Sequence, residues 1–315
     1  MIDQYKRDIT YLRLSVTERC QLRCTYCRAD EGACPKAEEL RAEDFARIVR
    51  VMGQLGINKV RLTGGEPLLR KDILDIVAQV AGAAKLKDLS MTTNAQMLAG
   101  RAGALKAAGL RRLNISLDSL RPDVFREMTG GDLQLVLDAI DEALDAGLTP
   151  LKINMVVVAG LNDGEVDDFI ALTRERPLDV RFIELMPIGD QGRNTARRIS
   201  NQDLLLARPY LQALPPRYAG QPSADYQVPG YLGRVGFISP ISHQFCGDCN
   251  RIRVMSDGNL RPCLGVDHQI SLKEALLGDD QGLLELIRQV IYEKPIGHAF
   301  QTCSGSERNM SRIGG

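Results

Sequence analysis

From residue 10 to about residue 186 the chain alternates short apolar runs with amphipathic stretches, and this alternation restricts its fold more than any other feature. The apolar runs Tyr11–Val16, Lys59–Thr63, Leu89–Thr93, Leu113–Leu117, Ile153–Val158 and Val180–Leu185 read as strands. Between them, Asp44–Leu55, Ile73–Ala83, Ala102–Ala108, Leu133–Ala146 and Val166–Glu175 carry the period of helices, with Gly56, Gly109 and Gly147 standing where helices stop. Strands alternating with helices predict a parallel sheet with right-handed crossovers. Periodicity does not separate an open doubly wound sheet from one curled into a barrel. The strand ends favour the barrel. Nearly every strand runs into a polar or Gly-rich group: Thr17–Cys20, Gly64-Gly65-Glu66, Thr92-Thr93-Asn94, Ser116-Leu117-Asp118, then Glu184 and Met186. A doubly wound sheet concentrates its site residues at one switch point, whereas a barrel draws on every strand's C-terminal end. The expected fold class is α/β, an incomplete (β/α)6 TIM-like barrel open on one side.

Residues 187–230 are rich in Arg, Gln, Pro and Gly and read as a connecting segment with one short helix at Asn201–Ala207. Beyond it come a strand (Tyr231–Ile238), a hairpin turning at Asp257-Gly258, and helices near 272–277 and 282–293. The polar, Gly-rich end from Thr302 to Gly315 reads by composition as a frayed tail. The expected division is 1–215 for the partial barrel and 216–315 for a C-terminal region.

Six of the eight cysteines form two groups of three. Cys20, Cys24 and Cys27 follow the first strand as C-x3-C-x2-C, and Cys246, Cys249 and Cys263 read C-x2-C-x13-C. A closed zinc site takes four ligands, whereas three thiolates on a four-iron cubane leave one iron open for a ligand. With His243 ahead of Cys246, a Cys3His zinc site is the alternative for the second group. Cys34 and Cys303 are extra and read as neutral loop positions, with redox sensitivity near a cluster as the alternative. The first group, with Tyr26 between its second and third cysteines, resembles the radical S-adenosylmethionine superfamily. There this motif holds a 4Fe-4S cluster whose open iron chelates S-adenosylmethionine, the source of a 5′-deoxyadenosyl radical. Gly64-Gly65-Glu66-Pro67 is similar to that superfamily's segment for the methionyl amino group, with Glu66 placed to accept from an ammonium.

Basic residues recur at the strand period. Arg251 and Arg253 share one face of a strand after the second cysteine group, as do Lys59 and Arg61 on the second strand; Arg13 lies in the first strand and Lys152 opens the fifth. Convergent cations on strands expected to be buried imply a phosphorylated ligand. Together with Leu12–Thr17, Val60–Pro67, Thr92–Asn94, Asn114–Asp118, Arg181–Met186, Phe245–Arg253 and the terminal Ile313-Gly314-Gly315, these residues resemble the GTP 3′,8-cyclase family of molybdenum cofactor biosynthesis. The resemblance implies a C-terminal cluster-binding extension closing the open side of the barrel. It implies two 4Fe-4S clusters on the six cysteines, and S-adenosylmethionine contacts from Tyr26, Gly65, Glu66, Ser116 and Met186. It implies GTP contacts from Arg13, Arg61, Thr92, Lys152, Arg251 and Arg253. It also places Arg13, Arg251, Arg253, Gly314 and Gly315 in catalysis, which sets the last two against the frayed-tail reading. The implied reaction converts GTP to 3′,8-cyclo-7,8-dihydro-GTP. A reduced flavodoxin or ferredoxin type electron donor and a downstream cyclic pyranopterin synthase are the implied partners. Departures from the family pattern stand at Arg28-Ala29, Ala95 and Arg312. A related two-cluster enzyme acting on a peptide or another small molecule is the alternative function. A zinc-stabilised binding protein is a third.

Forty basic and forty acidic residues cancel, so no global field draws nucleic acid or an anionic membrane. There is no long apolar run or secretory leader, and the expected location is cytoplasmic. Oligomeric state is not legible; a homodimer is one arrangement compatible with the sequence.

Overall fold

The computed structural model describes residues 1–27, 38–188, 192, 194–298, 300 and 310. Six parallel strands form the middle of the sheet: β1 (Tyr11–Ser15), β2 (Lys59–Thr63), β3 (Asp88–Thr93), β4 (Arg112–Ser116), β5 (Leu151–Val157) and β6 (Leu178–Glu184). The crossovers carry α1 (Ala42–Gln54), α2 (Ile73–Ala83), α3 (Ala102–Ala107), α4 (Pro122–Thr129), α5 (Leu133–Asp145) and α6 (Val166–Ala171). In α1, Phe45, Ile48, Val49 and Met52 recur at helical spacing and are buried against the sheet. Gly56, Gly109 and Gly147 all take positive φ, as helix stops do.

The central strands alternate, with Tyr11, Val156 and Ile183 as apolar exceptions on the inner face. Their outward residues, among them Leu12, Leu14, Val60, Leu62, Leu113, Ile115, Val180 and Phe182, are fully buried beneath the helices. Burial of each contributes about 1.5–3 kcal/mol. The opposite face carries polar residues on every strand: Arg13 pairs with Arg61, Arg61 with Ser90, Ser90 with Arg112, Asn114 with Lys152, and Asn154 with Arg181. The apolar core therefore lies between sheet and helices, and the other face lines a polar interior.

The C-terminal region adds β7 (Gln212–Ala213), β8 (Ser223–Gln227), β9 (Arg234–Ile238), β10 (Arg251–Val254), β11 (Asn259–Arg261) and β12 (Ile270–Ser271). It extends both edges of the sheet. β9 lies parallel to β6 and β10 parallel to β1, giving the order β12-β11-β10-β1-β2-β3-β4-β5-β6-β9-β8-β7. If flat, the eight parallel strands would hold β9 and β10 about 34 Å apart. The linking residues 239–250 contain a turn closed from His243 to Ser239 and a 3₁₀ turn at Cys246–Asp248, so they cannot span such a gap. The sheet is therefore curled, and the linker crosses its open side. Arg181 on β6 accordingly reaches past β5 to Asn114 Oδ1 on β4, at 2.9 Å. The barrel is open rather than closed.

The reading of 187–230 as a connection with one helix needs correction. It does contain α7 (Asn201–Leu206), but β8 pairs antiparallel with β9 and adds an edge. Ser223-Ala-Asp-Tyr-Gln227 has no apolar run, because within it only Ser223 is buried and little side-chain surface leaves water there. The following strand begins at Arg234 rather than Tyr231. Helices α8 (Lys273–Leu277) and α9 (Asp280–Tyr292) pack on α1, where Arg47 binds Asp280 at 2.8 Å and the Leu276 carbonyl at 2.6 Å.

Glu184, at the end of β6, fastens the linker to the barrel. Its carboxylate accepts from the backbone N–H groups of Asn201, Ile241 and Ser242 and from the Ser242 hydroxyl. Glu184→Ala strands several donors without an acceptor. The expected loss is roughly 2–3 kcal/mol of stability, measured by the urea midpoint at unchanged slope.

Candidate active site

Cys20, Cys24 and Cys27 lie in the loop after β1, at the C-terminal mouth of the barrel. The β2 loop packs against that loop backbone to backbone: Gly65 N–H donates to the Thr17 carbonyl at 2.8 Å and Glu66 N–H to the Arg19 carbonyl at 2.7 Å. A Cβ on Gly65 would sit 2.2 Å from the Arg19 carbonyl oxygen. The glycine is thus required by the close approach of the two loops. From β3, Asn94 Nδ2 reaches Cys20 Sγ at 3.6 Å. From α4, the carbonyls of Met128 and Thr129 take the N–H groups of Thr25 and Arg23. Tyr26 donates its hydroxyl to Asp118 Oδ2 at 2.7 Å, and Asp118 Oδ1 accepts from Val156 N–H. Burial pushes the Asp118 carboxyl up to about 6, against the pull of these two donors. The Cys24 thiol is pushed well up by burial, by Asp118 and by the two neighbouring cysteines. Three crowded, half-buried thiols are costly to ionise unless a cation or cluster takes their charge, so this loop fits an iron–sulfur group.

Glu66 has a structural task at this mouth. Its side chain is fully buried and accepts from Leu68 N–H at 2.9 Å, the Thr93 hydroxyl at 2.7 Å and Asn94 N–H at 2.7 Å. The carboxylate thereby joins the β2 and β3 loops and holds the mouth in shape. Ala95, a departure from the family pattern, has φ 61° and is buried. That left-handed position explains the glycine usual there, since a side chain at this φ costs about 1–2 kcal/mol.

The second triplet lies at the opposite end of the barrel. Cys246 and Cys249 precede β10, and Cys263 follows β11, which runs antiparallel to it. The strand length puts the two triplets roughly 15 Å apart along the barrel axis. Arg251 Nη2 lies 3.4 Å from Cys249 Sγ, with its guanidinium over the Phe245 ring. Burial raises the Cys249 thiol, but Arg251 and Lys294 outweigh it and bring it down to about 6. Its thiolate is therefore the stable form at neutral pH, the form that ligates iron. His243 is exposed.

Between the triplets stands a row of arginines. Arg253, Arg13 and Arg61 are paired in register across β10, β1 and β2, so their side chains share one face. Among the described residues, neither Arg13 nor Arg61 has a carboxylate within ion-pair distance; Arg61 Nε meets Ser90 Oγ at 3.4 Å. Burial and then the repulsion of Arg61 pull Arg13 down to about 10; burial, with Arg112, lowers Arg61, and burial, with Arg13 and Arg251, lowers Arg253. Among the described residues, Arg13 Nε and Thr92 Oγ1 are buried without a hydrogen-bond partner. An interior with uncompensated guanidiniums and orphaned polar atoms is built for an anion. Lys152 pairs with Asp179 at 3.1 Å, and Arg217 shares that carboxylate at 2.6 and 2.7 Å.

Three further residues beside these groups carry no signal as site residues when read singly, and Arg217 among them is exposed. Arg181 faces the lumen, held by Asn154 at 2.8 Å and Asn114 at 2.9 Å; its spacing from Asp179 on β6 is the period-2 cue that marks it. Arg217 and Tyr218 come from the segment read as a connection, and the Tyr218 ring sits 3.8 Å from Lys59 Nζ. Ser116 ends β4 half-buried, and Met186 packs beside Ile188, Met255 and Phe300 just past β6. Gly314, Gly315, Cys34, Cys303, Arg28 and Arg312 lie outside the described residues.

If the Gly65 contact shapes the first cysteine loop, Gly65→Ala expels that loop from its place. The purified variant is expected to lose about four irons per chain while keeping the second set, read by iron and sulfide content and an anaerobic visible spectrum.

Comparison with known proteins gives the same picture. Residues 14–173 match the Radical SAM superfamily, and residues 178–300 match the family described as Molybdenum Cofactor Synthesis C. The chain is 46% identical to a GTP 3′,8-cyclase of Alkaliphilus oremlandii over the whole of both chains. It is 42% identical to that of Moorella thermoacetica, again with both covered in full. The crystal structure of Streptococcus suis SuiB bound to S-adenosylmethionine superposes with a TM-score of 0.59 at 18% identity, covering 92% of this chain and 65% of that one, a likeness of fold. The chain belongs to the GTP 3′,8-cyclase family of the radical S-adenosylmethionine superfamily.

Proposed function

We propose that this chain binds GTP inside the barrel, between two 4Fe-4S clusters, and converts it to 3′,8-cyclo-7,8-dihydro-GTP. The observation that carries the reading is the in-register row Arg253–Arg13–Arg61, set between two cysteine triplets at opposite ends of one polar lumen. A nucleoside triphosphate offers several negative charges to such a row and a purine to the cluster beyond it. When bound, the first cluster and S-adenosylmethionine supply a 5′-deoxyadenosyl radical that removes hydrogen from the ribose C3′.

The chain's own residues position and insulate the reactants. Cys20, Cys24 and Cys27 hold the first cluster. Tyr26 (fixed by Asp118), Gly65, Ser116 and Met186 surround S-adenosylmethionine. Arg13, Arg61, Thr92, Lys152, Arg251 and Arg253 take the nucleotide, with Arg181 joining them from β6. The linker across the open side, fastened by Glu184, excludes water. Arg251, between Cys249 and the lumen, links the second cluster to the substrate. Gly314 and Gly315, outside the described residues, keep the catalytic role that the family implies. Residues 1–215 would then carry the radical chemistry and 216–315 the second cluster. A reduced flavodoxin or ferredoxin supplies electrons, a cyclic pyranopterin synthase consumes the product, and the reaction takes place in the cytoplasm. No helix of the described residues is long and apolar enough to cross a membrane.

Enzyme reconstituted with both clusters, S-adenosylmethionine and a reductant should consume GTP. The Cys263→Ala variant, retaining only the first cluster, should cleave S-adenosylmethionine without forming the cyclic nucleotide. Absence of any GTP-derived product from fully loaded wild type sinks the proposal. Arg61→Ala removes a charge-assisted contact of about 1.5–3 kcal/mol, so the KM for GTP should rise roughly 10- to 150-fold.

Lys152 gives a pH signature. Burial and then Arg181 bring its ammonium down to about 7, against the upward pull of Asp179. Only the protonated form donates to a phosphate. The KM for GTP should therefore climb as pH passes upward through about 7, by at most tenfold per unit. Lys152→Arg should flatten that rise between pH 7 and 9.

A further inference from the structure

Three buried cations outside the arginine row converge on the backbone that carries the second cysteine triplet. Arg7 donates through Nη1 to the carbonyls of Cys246 (3.0 Å) and Ile296 (2.9 Å) and through Nη2 to that of Pro295 (2.7 Å). Arg261 donates to the carbonyls of Cys263 (3.0 Å) and Leu264 (3.1 Å). Lys294, at the end of α9, donates through Nζ to the Pro262 carbonyl at 2.6 Å, one residue from Cys263. Arg7 also takes the Lys294 carbonyl at 3.3 Å, so the clamps form one network.

Their charges are balanced differently. Arg7 pairs with buried Asp3 at 2.7 Å and Arg261 with Asp267 at 3.0 Å. Lys294 is only 2% exposed and, among the described residues, has no carboxylate partner. A buried ammonium is costly without a countercharge. Its electrostatic partners are instead the triplet cysteines Cys249 and Cys263, which pull its pKa back up against burial and the repulsion of Arg7 and Arg251.

We propose that Lys294 is a positioning residue of the second cluster. Its ammonium anchors the Cys263 loop through the Pro262 carbonyl and serves as the fixed countercharge of the thiolate-ligated cluster, holding the cluster's reduction potential up. The inference rests on the reading of the second triplet as a cluster site. Reduction adds a negative charge beside the ammonium, so a neutral side chain at 294 should favour the oxidised cluster.

The test uses full-length protein with Cys20, Cys24 and Cys27 replaced by Ala, leaving the second triplet alone, in an EPR-monitored redox titration. Absence of any cluster signal with Lys294 intact overturns the cluster reading itself. With the signal present, Lys294→Met should lower the reduced-to-oxidised ratio at a given potential at least tenfold, about 59 mV for one electron. Lys294→Arg should stay near the parent. Should Lys294→Met fail to hold the cluster, Lys294→Gln takes its place. Loss from both neutral variants with retention in Lys294→Arg also supports the countercharge. An unchanged potential in a neutral variant, or equal loss of the cluster from Lys294→Arg, overturns the proposal.

Discussion

The pairing of β10 with β1 sets Arg253 beside Arg13, and the pairing of β1 with β2 sets Arg13 beside Arg61. Three guanidiniums on neighbouring strands repel one another, and burial deepens the cost. No local preference produces this arrangement. It is sustained by the apolar shell on the other face of the same strands, where Leu12, Leu14, Val60 and Leu62 are sealed under the helices. The fold therefore gathers positive charge on its inner face, where an anion bound as proposed would offset the repulsion. A site of this kind is preorganised: the cost of gathering the charges is met on folding, before the substrate arrives.

The two cysteine triplets depend on different supports. The first is held from the mouth of the barrel by loops that approach it through backbone: Gly65 against Thr17 and Arg19, Asn94 against Cys20, and Met128 and Thr129 against Thr25 and Arg23. The second is held by long cationic side chains reaching its carbonyls from the N-terminal segment, β11 and the end of α9. Buried carboxylates serve both ends indirectly. Glu66 joins two loops, Asp118 fixes Tyr26, and Glu184 ties the crossing linker to β6. A carboxylate in a chemically suggestive place is thus as often a fastening as a ligand contact, and only its hydrogen-bond partners tell which.

The order β9-linker-β10 solves a geometric problem. A six-strand partial barrel leaves two unpaired edges and an open side. The C-terminal region pairs with both edges and sends residues 239–250 across the gap between them. The same passage carries Cys246 and Cys249 to the end of the barrel opposite the first triplet. Edge protection and the placement of the second cysteine group are one structural event.

The sequence by itself determined the six central strands, five of the helices between them (α4, Pro122–Thr129, went unread) and the membership of both cysteine triplets, because period, glycine stops and short ligand spacing are local properties. It also marked Arg13, Arg61, Lys152, Arg251 and Arg253, since a cation on a strand that otherwise reads as buried is conspicuous. Only the tertiary structure decided that Arg253 and Arg13 are neighbours, for their partnership crosses 240 residues of chain. It alone assigned Glu66 to loop fastening, made β8 a strand through the edge it pairs with, and brought Arg217 and Tyr218 under the barrel. Lys294 shows the limit most plainly. In sequence it is a lysine after a helix, and its meaning comes from the removal of water and of any carboxylate partner among the described residues, conditions that exist only once the chain has closed around it.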